Sequence, residues 1–228
     1  MKKRNMKKYL KRMLITLLVS YFIYSIFINL GYRNHIKQSQ EKNYEHLRTI
    51  SVIGDNLAHR LEIFMQIPIE QEDEKKDQLF DSWRVVRGES RSIKSYLSSM
   101  YTIHMEDKIK EWNLLQYSLF HADMFLDDMT NKFLKNKSYR ISDEDKEKME
   151  AVISVYRNVS KEAEQESVDI ERLLESIQEP MLVIDDYYSD ALQKTYNKEK
   201  DPPIMGVLFT KYRLLHMYLL LVHSSNAF

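Results

Sequence analysis

Residues 13–32 (MLITLLVSYFIYSIFINLGY) contain no charged side chain. As a helix, such a run extends about 30 Å, the thickness of a bilayer's hydrocarbon core. Lys2, Lys3, Arg4, Lys7, Lys8, Lys11 and Arg12 precede it, and no Asp or Glu occurs before Glu41. Cations stay on the cytoplasmic side of a span, so the N-terminus is expected inside and the following chain outside. A cleaved signal would have a shorter apolar region and a small-residue cleavage site, and no A-x-A-like site follows the run. The expectation is therefore an uncleaved, single-pass cell-membrane anchor. A cleaved signal and a buried soluble helix are the alternatives.

Lys plus Arg and Asp plus Glu both number 34. Without the seven cations of the tail, residues 33–228 carry 27 basic against 34 acidic side chains. The tail then reads as a topology signal and a contact for anionic lipid. The acidic body argues against a nucleic-acid partner.

The chain has only 4 Gly and 4 Pro, and no Cys. Tight turns are too few for a sandwich, a barrel or a βαβ fold, so an all-α protein is expected. Without Cys there is no disulfide, thiolate nucleophile, thiolate-bound metal or lipoprotein anchor. The richness in Lys, Ile, Tyr and Met points to a bacterial host.

Apolar residues recur at alternating spacings of three and four, the signature of helices packed at small crossing angles. The first stripe is Leu47, Ile50, Gly54, Leu57, Leu61 and Phe64, ended by Pro68. The second is Leu79, Trp83, Val86, Ser90, Ile93, Leu97 and Met100. Its continuation falls on His104, Asp107 and Glu111, so a turn is expected near 101–107. The third is Trp112, Leu115, Leu119, Ala122, Leu126, Met129 and Phe133. The fourth runs in one phase through Met149, Val152, Tyr156, Val159, Ala163, Glu166, Ile170, Leu173 and Ile177. Ser142 is its N-cap, with Asp145 three residues on. Pro180 is expected to kink or end this helix, and a helical piece follows over 181–197.

The expected fold is an extracytoplasmic up-down antiparallel four-helix bundle with an extra C-terminal helix. Its segments are a basic tail (1–12), the anchor (13–32), a polar stalk (33–43), the bundle (44–200) and an apolar C-terminal helix (201–228).

Residue patterns for chemistry are sparse. The two Glu-x-x-His motifs of a di-iron bundle are missing, as are Gly-x-Ser-x-Gly and His-Glu-x-x-His. Asp55 and His59 lie one helical turn apart, but two ligands make no metal site, and a surface ion pair is the simpler reading. His121 and Asp123 diverge on a helix. Trp83 and Trp112 fall on apolar stripes and read as core. Glu166 reads as a flank residue reaching solvent, with a register or ligand role as the alternative. Asn136 and Asn158 begin glycosylation sequons that matter only in a glycosylating host. No catalytic residue, cofactor or metal is expected, and a small-molecule ligand is left open.

The segment 204–222 is apolar enough to raise a second span, but Lys211 and Arg213 in its middle argue against one. It reads as a helix packed on the bundle or docked on a partner or the lipid surface. Leu208, Leu215, Tyr218, Leu219 and Val222 are the partner-docking candidates.

The order of span, polar stalk and helices, with Glu41-Lys-Asn-Tyr44, Trp83-Arg84 and Ser142-Asp-Glu-Asp145, resembles the N-terminal region of YpeB-type spore-germination accessory proteins. The resemblance covers residues 8–180. It implies an anchored helical protein that holds and protects a cell-wall hydrolase outside the membrane. The family's C-terminal peptidase-propeptide-like domains have no counterpart in this sequence, and no functional residue is carried over.

The sequence thus predicts a non-enzymatic, membrane-anchored protein that binds or regulates an envelope partner protein. The alternatives are a ligand-sensing module acting through a partner and a hydrolase or germination accessory.

Overall fold

A computed structural model of the chain describes residues 2–68, 72–165 and 168–196. Every regular element among them is a helix. These are α1 (Lys2–Gln66), α2 (Glu72–Ser99), α3 (Ile109–Asn136), α4 (Asp143–Ala163), α5 (Ile170–Ile184) and α6 (Tyr188–Tyr196). The chain divides into two compact units, the second beginning at Leu192. Of that second unit only 192–196 are described.

α1 is one unbroken helix of 65 residues, about 98 Å long. It carries the tail, the uncharged run and the first stripe without a hinge. From Arg12 to His35 every residue is exposed. Burial begins at Ser39 and Asn43, so the expected stalk is already covered over its last residues.

The cover is the turn between α2 and α3. Asn43 donates through Nδ2 to the Tyr101 carbonyl (3.1 Å), and its Oδ1 accepts from the Tyr101 amide (3.0 Å). Gln40 Nε2 donates to the His104 carbonyl at 2.7 Å. Two short 3₁₀ turns, Thr102–His104 and Glu106–Lys108, complete the reversal where the stripe predicts one. The turn needs neither Gly nor Pro, because side chains of α1 satisfy the backbone groups it leaves open.

α1, α2, α3 and α4 alternate in direction. At the Asn43 end, Thr102 approaches Asn113. At the opposite end Phe64, Trp83, Phe133 and Tyr139 meet, with ring centroids 4.9–6.3 Å apart. α5 lies between α3 and α4 and closes the ring, in the order α1, α2, α3, α5, α4.

The stripes face inward. Every described residue named in them is buried, from Leu47 through Ile177. Full burial of each large apolar side chain contributes about 1.5–3 kcal/mol.

The fourth stripe differs from its expected form in one respect: it belongs to two helices. α4 ends at Ala163, and α5 starts at Ile170 behind Asp169, whose side chain accepts from the Glu171 amide. Ala163 and Ile170 are seven residues apart, which is two helical turns in phase. A reversal of that length leaves the periodicity unchanged. Pro180, expected to kink or end the helix, lies within α5, which continues to Ile184. The break comes at Asp185, whose carboxylate accepts from the Tyr187 amide (3.0 Å) before α6 begins.

The N-cap at Ser142 forms as expected: its Oγ accepts from the Asp145 amide at 3.1 Å. Glu166 and the docking candidates Leu208, Leu215, Tyr218, Leu219 and Val222 lie outside the described residues.

Candidate functional site

Two features of the α2–α3 face share one residue, Arg87. The first is a buried polar network. On α2, Arg87, Ser90 and Lys94 follow at helical spacing. Opposite them on α3, Asp123 and Asp127 are one turn apart.

Arg87 Nη1 donates to Ser90 Oγ (2.9 Å), and Ser90 in turn donates to Asp123 Oδ1. Arg87 Nη2 donates to Asp127. Lys94 Nζ lies 2.9 Å from Asp123 Oδ2 and 3.3 Å from Asp127 Oδ2. Its bond to Asp123 raises the Lys94 pKa above the ordinary lysine value, and the Asp123 charge adds to that. Two cations and two carboxylates thus neutralise one another. Arg87, Ser90 and Asp123 are all buried, where a lone charge would be costly. Tyr156 of α4 lies near Asp123. Its hydroxyl is buried without a hydrogen-bond partner, and burial pushes its pKa up, with Asp123 adding to the shift.

The second feature is a groove of about 410 Å³ on the outer side of Arg87. Its α2 wall is Phe80, Arg84, Arg87, Gly88 and Arg91, positions that share a face at spacings of three and four. Trp83 also lines it. Its α3 wall is Thr130, Phe133 and Leu134, with Tyr139 from the following loop. Trp83 Nε1 donates to Thr130 Oγ1 (3.1 Å), which fixes the indole, and Phe64 and Phe133 pack on it. The lining includes three arginines and no carboxylate. Arg84 is paired with Asp81 at 3.2 Å, but both side chains are largely exposed and such pairs hold weakly.

A second hollow of about 430 Å³ lies where α5 stops short between α3 and α4, with cations and carboxylates mixed along it. Beside it, Asp185 accepts from Tyr117 Oη (2.7 Å) and lies 3.2 Å from His121 Nδ1. Burial, then Asp185, raise the Tyr117 pKa. His121 and Asp123 do diverge: the first faces Asp185, the second Ser90 and Lys94.

Asp55 is taken by Arg157 of α4, which also reaches Glu62 at 3.1 Å. His59 sits 3.7 Å from Glu62. No group of three or more His, Asp or Glu able to hold a metal occurs among the described residues. Trp83 and Trp112 are buried as core residues. Asn158 donates to the Ser176 carbonyl at 2.6 Å.

Sequence reasoning places Ser90 on the second stripe but misses its network. The signal is there: a hydroxyl on an apolar stripe, with Arg87 and Lys94 three before and four after it. The groove has a weaker one, Gly88 inside a helix between Arg84 and Arg91.

No family model, curated protein or solved structure matches the chain.

Proposed function

We propose that this protein is anchored in the cell membrane by a single span at 13–32, with a cytoplasmic N-terminus. Its extracytoplasmic helical bundle binds or regulates an envelope partner and catalyses no reaction itself. The observation that carries the reading is the state of α1. Its apolar run is wholly exposed, while the same unbroken helix contributes its other half to the core. A solvent-exposed apolar surface of that extent asks for a non-aqueous environment. A core helix would be mostly buried, and this run is not. The seven cations support the inward N-terminus.

The continuous helix also suits signal transfer. A shift or rotation of α1 in the bilayer would move the face it packs on α2 and α4. The C-terminal segment 201–228, with Leu208, Leu215, Tyr218, Leu219 and Val222, is the proposed partner contact.

Alkaline extraction of membranes, with protease accessibility from each side, tests the anchor. Retention in the membrane, with the bundle cut only from outside, is expected. Release by alkali, or an N-terminus beginning after residue 32, would overturn it. Crosslinked capture should recover one partner and lose it on deletion of 204–228. Equal recovery by the truncated chain would remove the role given to that segment. A cell-wall hydrolase as that partner would select the accessory-protein reading.

The arginine-lined groove favours a second reading, a ligand-sensing input module that acts through the partner. It predicts a ligand-dependent rise in melting temperature.

A further inference from the structure

Gly88 is one of three glycines within the described helices, and it has no packing reason to be glycine. A Cβ built there meets nothing within 4 Å. A helical glycine in open space costs about 1 kcal/mol against alanine. What its missing side chain does leave is room. Gly88 stands on the groove wall between Arg84, one turn before it, and Arg91, nearly one turn after.

The lining around that gap carries three arginines and no carboxylate, with Asp127 and Asp81 reaching Arg87 and Arg84 from outside it. Arg87 is held from behind by Ser90 and Asp127, and its Nε is buried with no hydrogen-bond partner. Arg91 makes no ion pair among the described residues. Phe80 of the α2 wall is 54 % exposed and Leu134 of the α3 wall 70 %. Trp83 and Phe133, packed edge to face, also line the groove.

We propose that the Gly88 groove binds a small anionic ligand with a flat apolar body, of the aromatic carboxylate class. The ring lies on the aromatic lining, and the carboxylate meets the arginines. Guanidinium groups match carboxylates geometrically, and a pre-positioned one loses less freedom on binding. The volume fits one small ligand. Lipid headgroups of the anchoring membrane are a poor source. Phe80 to Arg91 lie about 15–30 Å along α2 from the end that meets Asn43, the end nearer the span. The proposal rests on the ligand-sensing reading and supplies its ligand class.

The test uses the full chain in lipid nanodiscs, with empty nanodiscs as blank, titrated calorimetrically with 2-naphthoate and 2-naphthamide. Expected is one site per chain for the acid, with Kd below about 1 mM, and binding about tenfold weaker for the neutral amide. Gly88→Leu should abolish binding by filling the gap, with the melting temperature equal to or above the parent's. Arg91→Glu should weaken binding about tenfold or more. Gly88→Ala, which adds less bulk, should retain part of the affinity.

Equal affinity for acid and amide would overturn the proposal, as would binding that survives Gly88→Leu in a folded protein. So would the lack of any saturable heat, or capture of an acidic peptide by these arginines without naphthoate binding. None of these results touches membrane retention, so the anchor can fail separately. Should naphthoate fail while another ligand raises the melting temperature regardless of Gly88→Leu, sensing would stand and this site would fall.

Discussion

Gly54 of α1 lies so close to Tyr156 of α4 that a Cβ at position 54 would stand 2.6 Å from Cδ1 of the ring. The ring atom Cγ and the Tyr156 methylene Cβ would follow at 3.2 and 3.3 Å. Tyr156 is fully buried, so the ring has little freedom to move. The missing methyl lets α4 settle on α1, where Arg157 then reaches Asp55 and Glu62.

Gly54→Ala should therefore destabilise the protein by about 1–3 kcal/mol through overpacking, against the gain expected at an open helical glycine. Denaturant unfolding of the purified chain measures it. A second change, Tyr156→Leu, should recover part of the loss, because the two positions touch. Strict additivity of the pair would show that the contact is not the cause.

Asp123 closes the network around Arg87, Ser90 and Lys94 and is itself fully buried. Asp123→Ala leaves the buried Arg87 short of one counter-charge and should cost about 3–5 kcal/mol. The double variant Asp123→Ala, Arg87→Met should cost less than the sum of the two single changes. A loss under about 1 kcal/mol for Asp123→Ala would mean that solvent or Asp127 satisfies the arginine alone.

Asp145 gives a pH dependence of defined sign. Burial by itself would raise its pKa, but the Lys132 ammonium at 2.6 Å and the Ser142 hydroxyl outweigh that and hold it below 3.8. A carboxylate depressed on folding stabilises fully above its unfolded pKa, and the contribution fades as pH falls through the folded value. Asp145→Asn should be less stable than the parent at pH 7, with the difference shrinking as pH drops below about 4. Parallel urea titrations at the two acidities read this directly. A difference that grows on acidification would reverse the assignment.

Leu119 and Leu173 have no exposed surface. Each Leu→Ala change should cost about 2–5 kcal/mol, the range for a buried leucine whose cavity collapses only in part. Leu182, 43 % exposed on α5, should lose much less, which makes it the internal control. Equal losses at all three sites would mean that these stripes do not define the core.

Much of the fold was legible because helical packing writes itself into spacing. Leu47 through Phe64, Leu79 through Met100 and Trp112 through Phe133 repeat at three and four, and those residues are the ones buried. The turn near 101–107 was legible as a loss of apolar phase. The split of the fourth stripe was not, since Ala163 and Ile170 keep the same phase whether the chain continues or reverses. The new start is marked by the Asp169 cap, whose side chain accepts from the Glu171 amide in the folded chain. The buried network was half legible. Ser90 interrupts an apolar stripe, but nothing along the chain says that Asp123 and Asp127 stand opposite it. The groove was the least legible, since Gly88 looks like a helix defect until its neighbours are placed.

The sequence by itself determined that this is a helical protein with a basic tail, a long uncharged run and inward stripes. Those properties follow from local periodicity and charge, which act along the chain. The tertiary structure alone decided what each exception is for. Gly54 admits the Tyr156 ring, Asn43 completes a turn nearly sixty residues away, and Arg87 finds its carboxylates on another helix. Such pairings depend on helix direction, rotation and close approach, and no spacing within a single helix encodes them.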